Sequence, residues 1–176
     1  MDFKEYLEMQ KKYIYLGGKI MIELRKITDS NWWECIKLEP NEDQKGFVAK
    51  NIESLAEAYV ALANNECIPM PYAVYNDDTM VGFIMLSYNE ADENNEENAY
   101  WVWRLMMDKK YQGKGYGKET MAKALELIRT FPYGKTSVVL LSYEPENVVA
   151  KGLYASFGFV ETGKIEYGEM VAKLAL

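Results

Sequence analysis

The sequence predicts an α/β fold, of the mixed α+β kind, in which one β-sheet is flanked by helices. Three observations lead there. Segments with a period of two alternate along the chain with segments of helical period. Two successive strands are joined as a hairpin by the Asp-rich turn "DDT". Other strands are separated by helix-length segments, as crossovers are. Hairpins and crossovers together fit a mixed sheet better than a wholly parallel one.

Element by element, residues 3–14 predict an amphipathic helix with Phe3, Leu7 and Ile14 on one face and Gly17 and Gly18 ending it. "KIMIELRKI" (19–27) alternates around Ile20, Ile22 and Leu24 as a first strand, after which Thr28, Asp29 or Ser30 can cap a helix over "NWWECIKL". Residues 47–65 set Val48, Ile52, Leu55, Ala56, Tyr59 and Leu62 at helical spacing. The hairpin "MPYAVYN" and "MVGFIMLSYN" follows. An acidic loop then leads to the strand "AYWVWRLMMD" (99–108). A glycine-rich stretch precedes the helix "KETMAKALELIRTF", the strand "KTSVVLLSY", the helix "NVVAKGLYASF" and two short strands around "FVETG" and "GEMVAKLAL". No repeat or linker divides the chain, so residues 19–176 are expected to form a single domain behind a helical extension over 1–18.

The 176 residues, 49% of them hydrophobic, suffice for one sizeable core, and there is no run of about 18 apolar residues to cross a membrane. The N-terminus lacks the apolar core of a secretion signal, so a cytoplasmic protein is expected. There is no histidine, which removes His-based triads and His metal sites. Cys35 and Cys67 lack the spacing of a zinc site or a disulfide framework, so no metal is expected. A net charge of −7 disfavours nucleic acid and favours a small cationic partner.

The stretch "YQGKGYGKET" (111–120) places Gly113, Gly115 and Gly117 where a helix begins. A need for positive φ would account for a turn of this kind without any ligand. A phosphate cradle accounts for more, because a helix start carries unpaired N–H groups and a positive dipole end, and Lys114 and Lys118 add charge. Neither GxxxxGK[ST] nor GxGxxG fits the spacing.

Gln112, Gly115 and Gly117 match the Q/RxxGxG signature of the GNAT superfamily of acetyl-CoA-dependent N-acetyltransferases, and "NVVAKGLYASFGF" (147–159) resembles that family's NxxAxxLYxxxGF block. Within the superfamily, "FVAKNIESLAEAYV", "WVWRLMMDKKYQGKGYGK" and "LSYEPEN" are similar to bacterial diamine and spermine/spermidine acetyltransferases. The resemblance implies a central, mostly antiparallel mixed sheet of about seven strands, splayed between the fourth and fifth and flanked by about four helices. It implies acetyl-CoA as co-substrate, held by main-chain groups at Leu105 and Met107 and by a pyrophosphate cradle of Gln112, Gly113, Lys114, Gly115, Tyr116, Gly117 and Lys118. Asn147 would contact the cofactor near its pantetheine arm.

The resemblance also implies that Tyr154 faces the departing thiolate as proton donor, whereas periodicity alone would make it a buried aromatic in a stripe with Leu153 and Phe157. A main-chain N–H, at Met107, would polarise the thioester carbonyl. No general base is assigned. Trp101 and Trp103 stand where related enzymes carry a carboxylate, and Glu23, Glu39 and Glu144 are unranked candidates acting through water. Glu90, Asp92, Glu93, Glu96 and Glu97, with the aromatics Tyr100, Trp101 and Trp103, would attract a polyamine, although a solvated loop and a packed strand explain them as well. The expected activity is direct acetyl transfer to a primary amine of a polyamine. The alternatives are an aminoglycoside, amino acid or protein amine as acceptor, or a non-catalytic acyl-CoA-binding regulator. The oligomeric state is open, with a homodimer as one option.

Overall fold

The computed structural model describes residues 20–91 and 97–176. The helix expected over 3–14, and Asp92, Glu93 and Glu96 of the acidic loop, lie outside the described residues. Seven strands form one sheet: β1 (Ile22–Lys26), β2 (Ile68–Asn76), β3 (Thr79–Asn89), β4 (Ala99–Met107), β5 (Val138–Tyr143), β6 (Val160–Glu166) and β7 (Glu169–Ala175), in the order β1-β2-β3-β4-β5-β7-β6. The helices are α1 (Trp32–Cys35), α2 (Asn51–Ala63), α3 (Tyr116–Ile128) and α4 (Val148–Ala155), with a 3₁₀ turn at Glu42–Gln44. Element order and the mixed sheet agree with the sequence reading. Among the described residues only β4 and β5 run parallel, and β7 is inserted between β5 and β6.

Two features open the sheet at its centre. The β4–β5 ladder runs only from Tyr100 opposite Val139 to Val102 opposite Leu141, and the strands part beyond it. On the other edge of β4, the register with β3 passes from Met85–Arg104 to Leu86–Val102, so Trp103 has no partner and forms a β-bulge. A bulge increases local twist, which turns the end of β4 away from β5.

The two faces of the sheet carry separate cores. Met121, Ala124, Leu125 and Ile128 of α3 and Tyr154 of α4 pack with Val102, Leu141 and Tyr143. Cys35 of α1 and Ala58 of α2 pack on the opposite side with Phe83, Met85 and Met106. This second core corrects two expectations. The α2 face turned inward is Asn51, Ser54, Ala58 and Ala61, while Ile52, Tyr59 and Leu62 of the expected apolar stripe are 52%, 73% and 57% exposed. Phe83, Met85 and Met106 fill the space beneath the helix, so small residues face them. The first helix is also shorter than "NWWECIKL" and is capped at Asn31, not at Thr28, Asp29 or Ser30. Thr28 instead accepts from the N–H groups of Asn31 and Trp32, and Asn51 Nδ2 ties off the Cys35 carbonyl at 2.8 Å.

Gly82 of β3 lies opposite Met107. A Cβ there would stand 2.5 Å from the Met106 carbonyl oxygen, which is main chain and cannot rotate away. Gly82→Ala is therefore expected to displace the end of β4 and to lower stability by about 1–3 kcal/mol, as overpacking does. Urea unfolding measures it; an unchanged midpoint would contradict the close approach.

Candidate active site

Where β4 and β5 part, a cleft of about 670 Å³ opens, within the range of small-molecule sites. Its β4 wall follows from strand alternation. Asp108 N–H donates to the Val81 carbonyl at 2.9 Å, so the main chain of Asp108 faces β3. Main-chain groups of successive strand residues point to opposite edges, which turns those of Met107 and Leu105 toward the gap. Asp108, 5% exposed, fixes this strand end by accepting from Glu39 N–H at 3.1 Å and from Lys110 N–H at 3.0 Å.

The glycine loop supplies the outer end. Gly113 and Gly115 have φ of +75° and +83°, and Gly115 is the N-cap of α3. That left-handed conformation turns consecutive N–H groups outward as an anion-binding nest. The main-chain N–H groups from Gln112 to Gly117 have no acceptor among the described residues, whereas Lys118 N–H already donates to Gly115 at 3.1 Å. Gly117 differs from the other two: its φ is not positive, and a Cβ there would meet Met107 Cγ at 3.8 Å and Leu153 Cδ2 at 4.0 Å. The steric demand at Gly117 is room in the cleft rather than a forbidden φ.

Of the residues singled out from sequence, Leu105, Met107, Gln112, Gly113, Gly115, Tyr116, Gly117, Lys118, Asn147 and Tyr154 all line this cleft. Lys114 is not on its lining; its ammonium lies 5.2 Å from the centre of the Tyr111 ring. Two others carry structural bonds as well. Gln112 donates to Gln44 Oε1 at 2.7 Å and to the Met107 carbonyl at 3.0 Å, and accepts from Asn41 at 2.6 Å, so its side chain binds the loop to the segment after α1. Asn147 caps α4, accepting from Ala150 N–H at 3.0 Å.

Tyr154 is 8% exposed, with its ring between Tyr143 and Phe159 at centroid distances of 5.7 and 6.1 Å. Its hydroxyl has no hydrogen-bond partner among the described residues and is not sealed from the cleft. Burial raises the Tyr154 pKa, with the charge of Glu169 and the neighbouring Tyr143 adding to it. Burial and the hydrogen bond to Glu161 push Tyr143 up to about 12. Both phenols stay protonated at neutral pH.

The carboxylates expected to serve the reaction lie elsewhere. Glu23 pairs with Arg25 at 2.8 Å, Glu39 pairs with Lys109 at 3.1 Å, and neither lines the cleft, nor does Glu144. Glu53 and Glu169 do, and sequence reasoning missed both. Glu53 closes the first turn of α2, accepting from Lys50 N–H at 3.1 Å; with lysine rather than serine or threonine at the N-cap, the sequence carries no capping-box signature there. Of the described acidic residues expected to attract the amine, Glu97 is held by Lys173 at 2.7 Å and Ser137 at 2.9 Å, at the end of β4 away from the gap, and Glu90 does not line the cleft. Tyr100 is fully buried in the core, Trp101 does not reach the cleft, and only Trp103 of the three aromatics lines it. The cause is the β4–β5 ladder, which closes the sheet at Tyr100–Val102 and leaves the later residues free.

Comparison with known proteins accords with this geometry. A model of the acetyltransferase (GNAT) family matches residues 27–159. The chain is 32% identical over 153 residues to a spermine/spermidine N(1)-acetyltransferase of Bacillus subtilis, covering 85% of this chain and 95% of that protein. Its fold resembles the crystal structure of spermidine N-acetyltransferase from Vibrio cholerae in complex with CoA and spermine, with a TM-score of 0.62 at 18% identity, covering 88% of this chain and 94% of that one. It also resembles an aminoglycoside N(6')-acetyltransferase from Legionella pneumophila, with a TM-score of 0.63 at 15% identity, covering 89% and 93%. A cleft between parted parallel strands, a helix start bearing bare N–H groups and a family match across most of the domain lead to one assignment: the chain belongs to the GNAT family of acetyl-CoA-dependent N-acetyltransferases.

Proposed function

We propose that the protein transfers acetyl from acetyl-CoA directly to a primary amine of a polyamine. The observation that carries the acceptor is the pairing of carboxylates, Glu53 and Glu169, with the indole of Trp103 on the cleft. Such a lining suits an extended cation, which gains from charge and from the face of an aromatic ring. The net charge of −7 adds attraction at longer range, and the name of the Bacillus subtilis relative points the same way.

On the cofactor side, the bare N–H groups of 112–117 and Lys118 would receive the pyrophosphate, and Leu105 and Met107 the pantetheine amides. Met107 adjoins the glycine loop, while Leu105 lies two residues deeper toward the closed part of the sheet. The N–H that meets the thioester carbonyl is therefore assigned to Leu105, in place of the Met107 expected from sequence. Neither cysteine lines the cleft, and burial pushes the Cys35 thiol up to about 12, so transfer runs without an acetyl-cysteine.

Thiol release from acetyl-CoA should be fastest with spermidine, spermine or a diamine in a panel that includes an aminoglycoside, an amino acid and a peptide amine. Preference for any of the last three overturns the polyamine reading. Coenzyme A binding without turnover on any amine would make the protein a regulator.

A further inference from the structure

A cationic amine is not nucleophilic until it loses a proton, and the site described so far names no group to take it. We propose that Glu169 binds the acceptor's ammonium group and removes that proton. The assignment rests on the amine-acetylation reading above and adds a residue to it.

Topology puts Glu169 at the gap. It is the first residue of β7, next to Met170, which pairs with Tyr143 at the end of β5. Because β7 is inserted beside β5, its first residue stands where β5 has already parted from β4. Alternation then sets the side. Leu141 and Tyr143 turn into the core shared with α3 and α4, so Ser142 between them turns to the other face, and its Oγ donates to Glu169 Oε2. The helices carrying the glycine loop and Tyr154 lie on one side of the sheet, and this carboxylate lies on the other. The two substrates thus enter the gap from opposite faces and meet in it.

The state of the carboxylate suits the task. Glu39, Glu57, Glu97 and Glu161 are each paired with a Lys or Arg, whereas no cation pairs with Glu169 among the described residues. Ser142 holds one oxygen and leaves the other to receive an ammonium. Glu169 and Tyr154 both line the cleft, and the charge of Glu169 adds to the raised pKa of Tyr154.

In the reaction, the ammonium gives one proton to Glu169, and the neutral nitrogen attacks the thioester carbonyl. A C–N bond forms and the C–S bond breaks, its electron pair leaving on sulfur. The thiolate takes the Tyr154 proton, and the nitrogen's second proton restores the phenol. Glu169 then returns its proton to water, so the sum is amide, free thiol and one released proton.

Glu169→Gln keeps an oxygen to accept from Ser142 and removes the base. Its kcat/KM for spermidine should fall about 10²-fold, the lower range for general-base removal. The loss should be at least about tenfold smaller with trifluoroethylamine, which is neutral at the assay pH and needs no deprotonation. The KM for acetyl-CoA should be unchanged, which separates the base from a structural role. Equal losses on both amines, or full activity on spermidine, overturn the assignment. Spermidine affinity for the coenzyme A-loaded proteins tests Glu169 apart from turnover: it should weaken in the variant, and equal affinity overturns the role. A wild type that acetylates no polyamine refutes the acceptor reading instead.

Discussion

Gly115→Val is expected to abolish coenzyme A binding while leaving the protein folded. Gly115 is the N-cap of α3 with φ of +83°, a region in which a β-branched residue is a steric outlier. Its Cβ would also stand 3.2 Å from Ile20 Cδ1. Valine relieves both by turning the peptide, and that rotation takes the N–H groups of residues 115–117 off their common target. Loss of two hydrogen bonds to a charged group, at about 1.5–3 kcal/mol each, corresponds to at least about 100-fold in affinity. Calorimetric titration with coenzyme A measures it, with circular dichroism as the check on folding. Gly115→Asn should keep most of the affinity, since asparagine tolerates the left-handed region. Wild-type affinity in the valine variant would show that these groups do not hold the ligand.

Tyr154→Phe should lower kcat by about 10²-fold with the KM for acetyl-CoA within about twofold. The ring is packed between Tyr143 and Phe159, and phenylalanine keeps that packing. The hydroxyl has no partner among the described residues, so removing it strands no other group. What disappears is the O–H, which in the proposed role is needed only when negative charge reaches the sulfur. Because burial holds the Tyr154 pKa above the usual tyrosine value, the donor persists through the alkaline range in which the amine becomes reactive. Steady-state kinetics from neutral to alkaline pH test this. Unchanged kcat throughout would remove Tyr154 from the reaction.

The parts of the site that were legible in the sequence are contiguous in the chain. The loop Gln112–Lys118 carries its own signal, because glycines at a helix start have few purposes, and the block around Tyr154 is one continuous run from the N-cap of α4 to Phe159. Glu169 carried no such signal. Its place depends on β7 lying between β5 and β6, and no local pattern distinguishes that order from a simple succession of strands. Glu97 misled for the converse reason: it is conspicuous within an acidic run, yet Lys173 on a distant strand neutralises it. The orientation of α2 escaped similarly. Ile52, Tyr59 and Leu62 form a plausible apolar stripe, but the bulk of Phe83, Met85 and Met106 decides which face fits, and those residues come later in the chain. Local chemistry was readable; which segments become neighbours was not.

The parting of β4 from β5 has a consequence for how recognition is inherited. On one edge of β4 the protein leaves a sheet unfinished, with main-chain groups of Leu105 and Met107 facing a space where a strand would otherwise lie, although Gln112 already occupies the Met107 carbonyl. A ligand bearing amides can complete the ladder there, matched by spacing and polarity alone. Side-chain substitution at either position reshapes the wall without erasing this complementarity, since every residue except proline carries the same two groups. On the proposed binding mode, selectivity for an amide-bearing arm would be stored in the path of the backbone, where sequence drift at these positions leaves it intact.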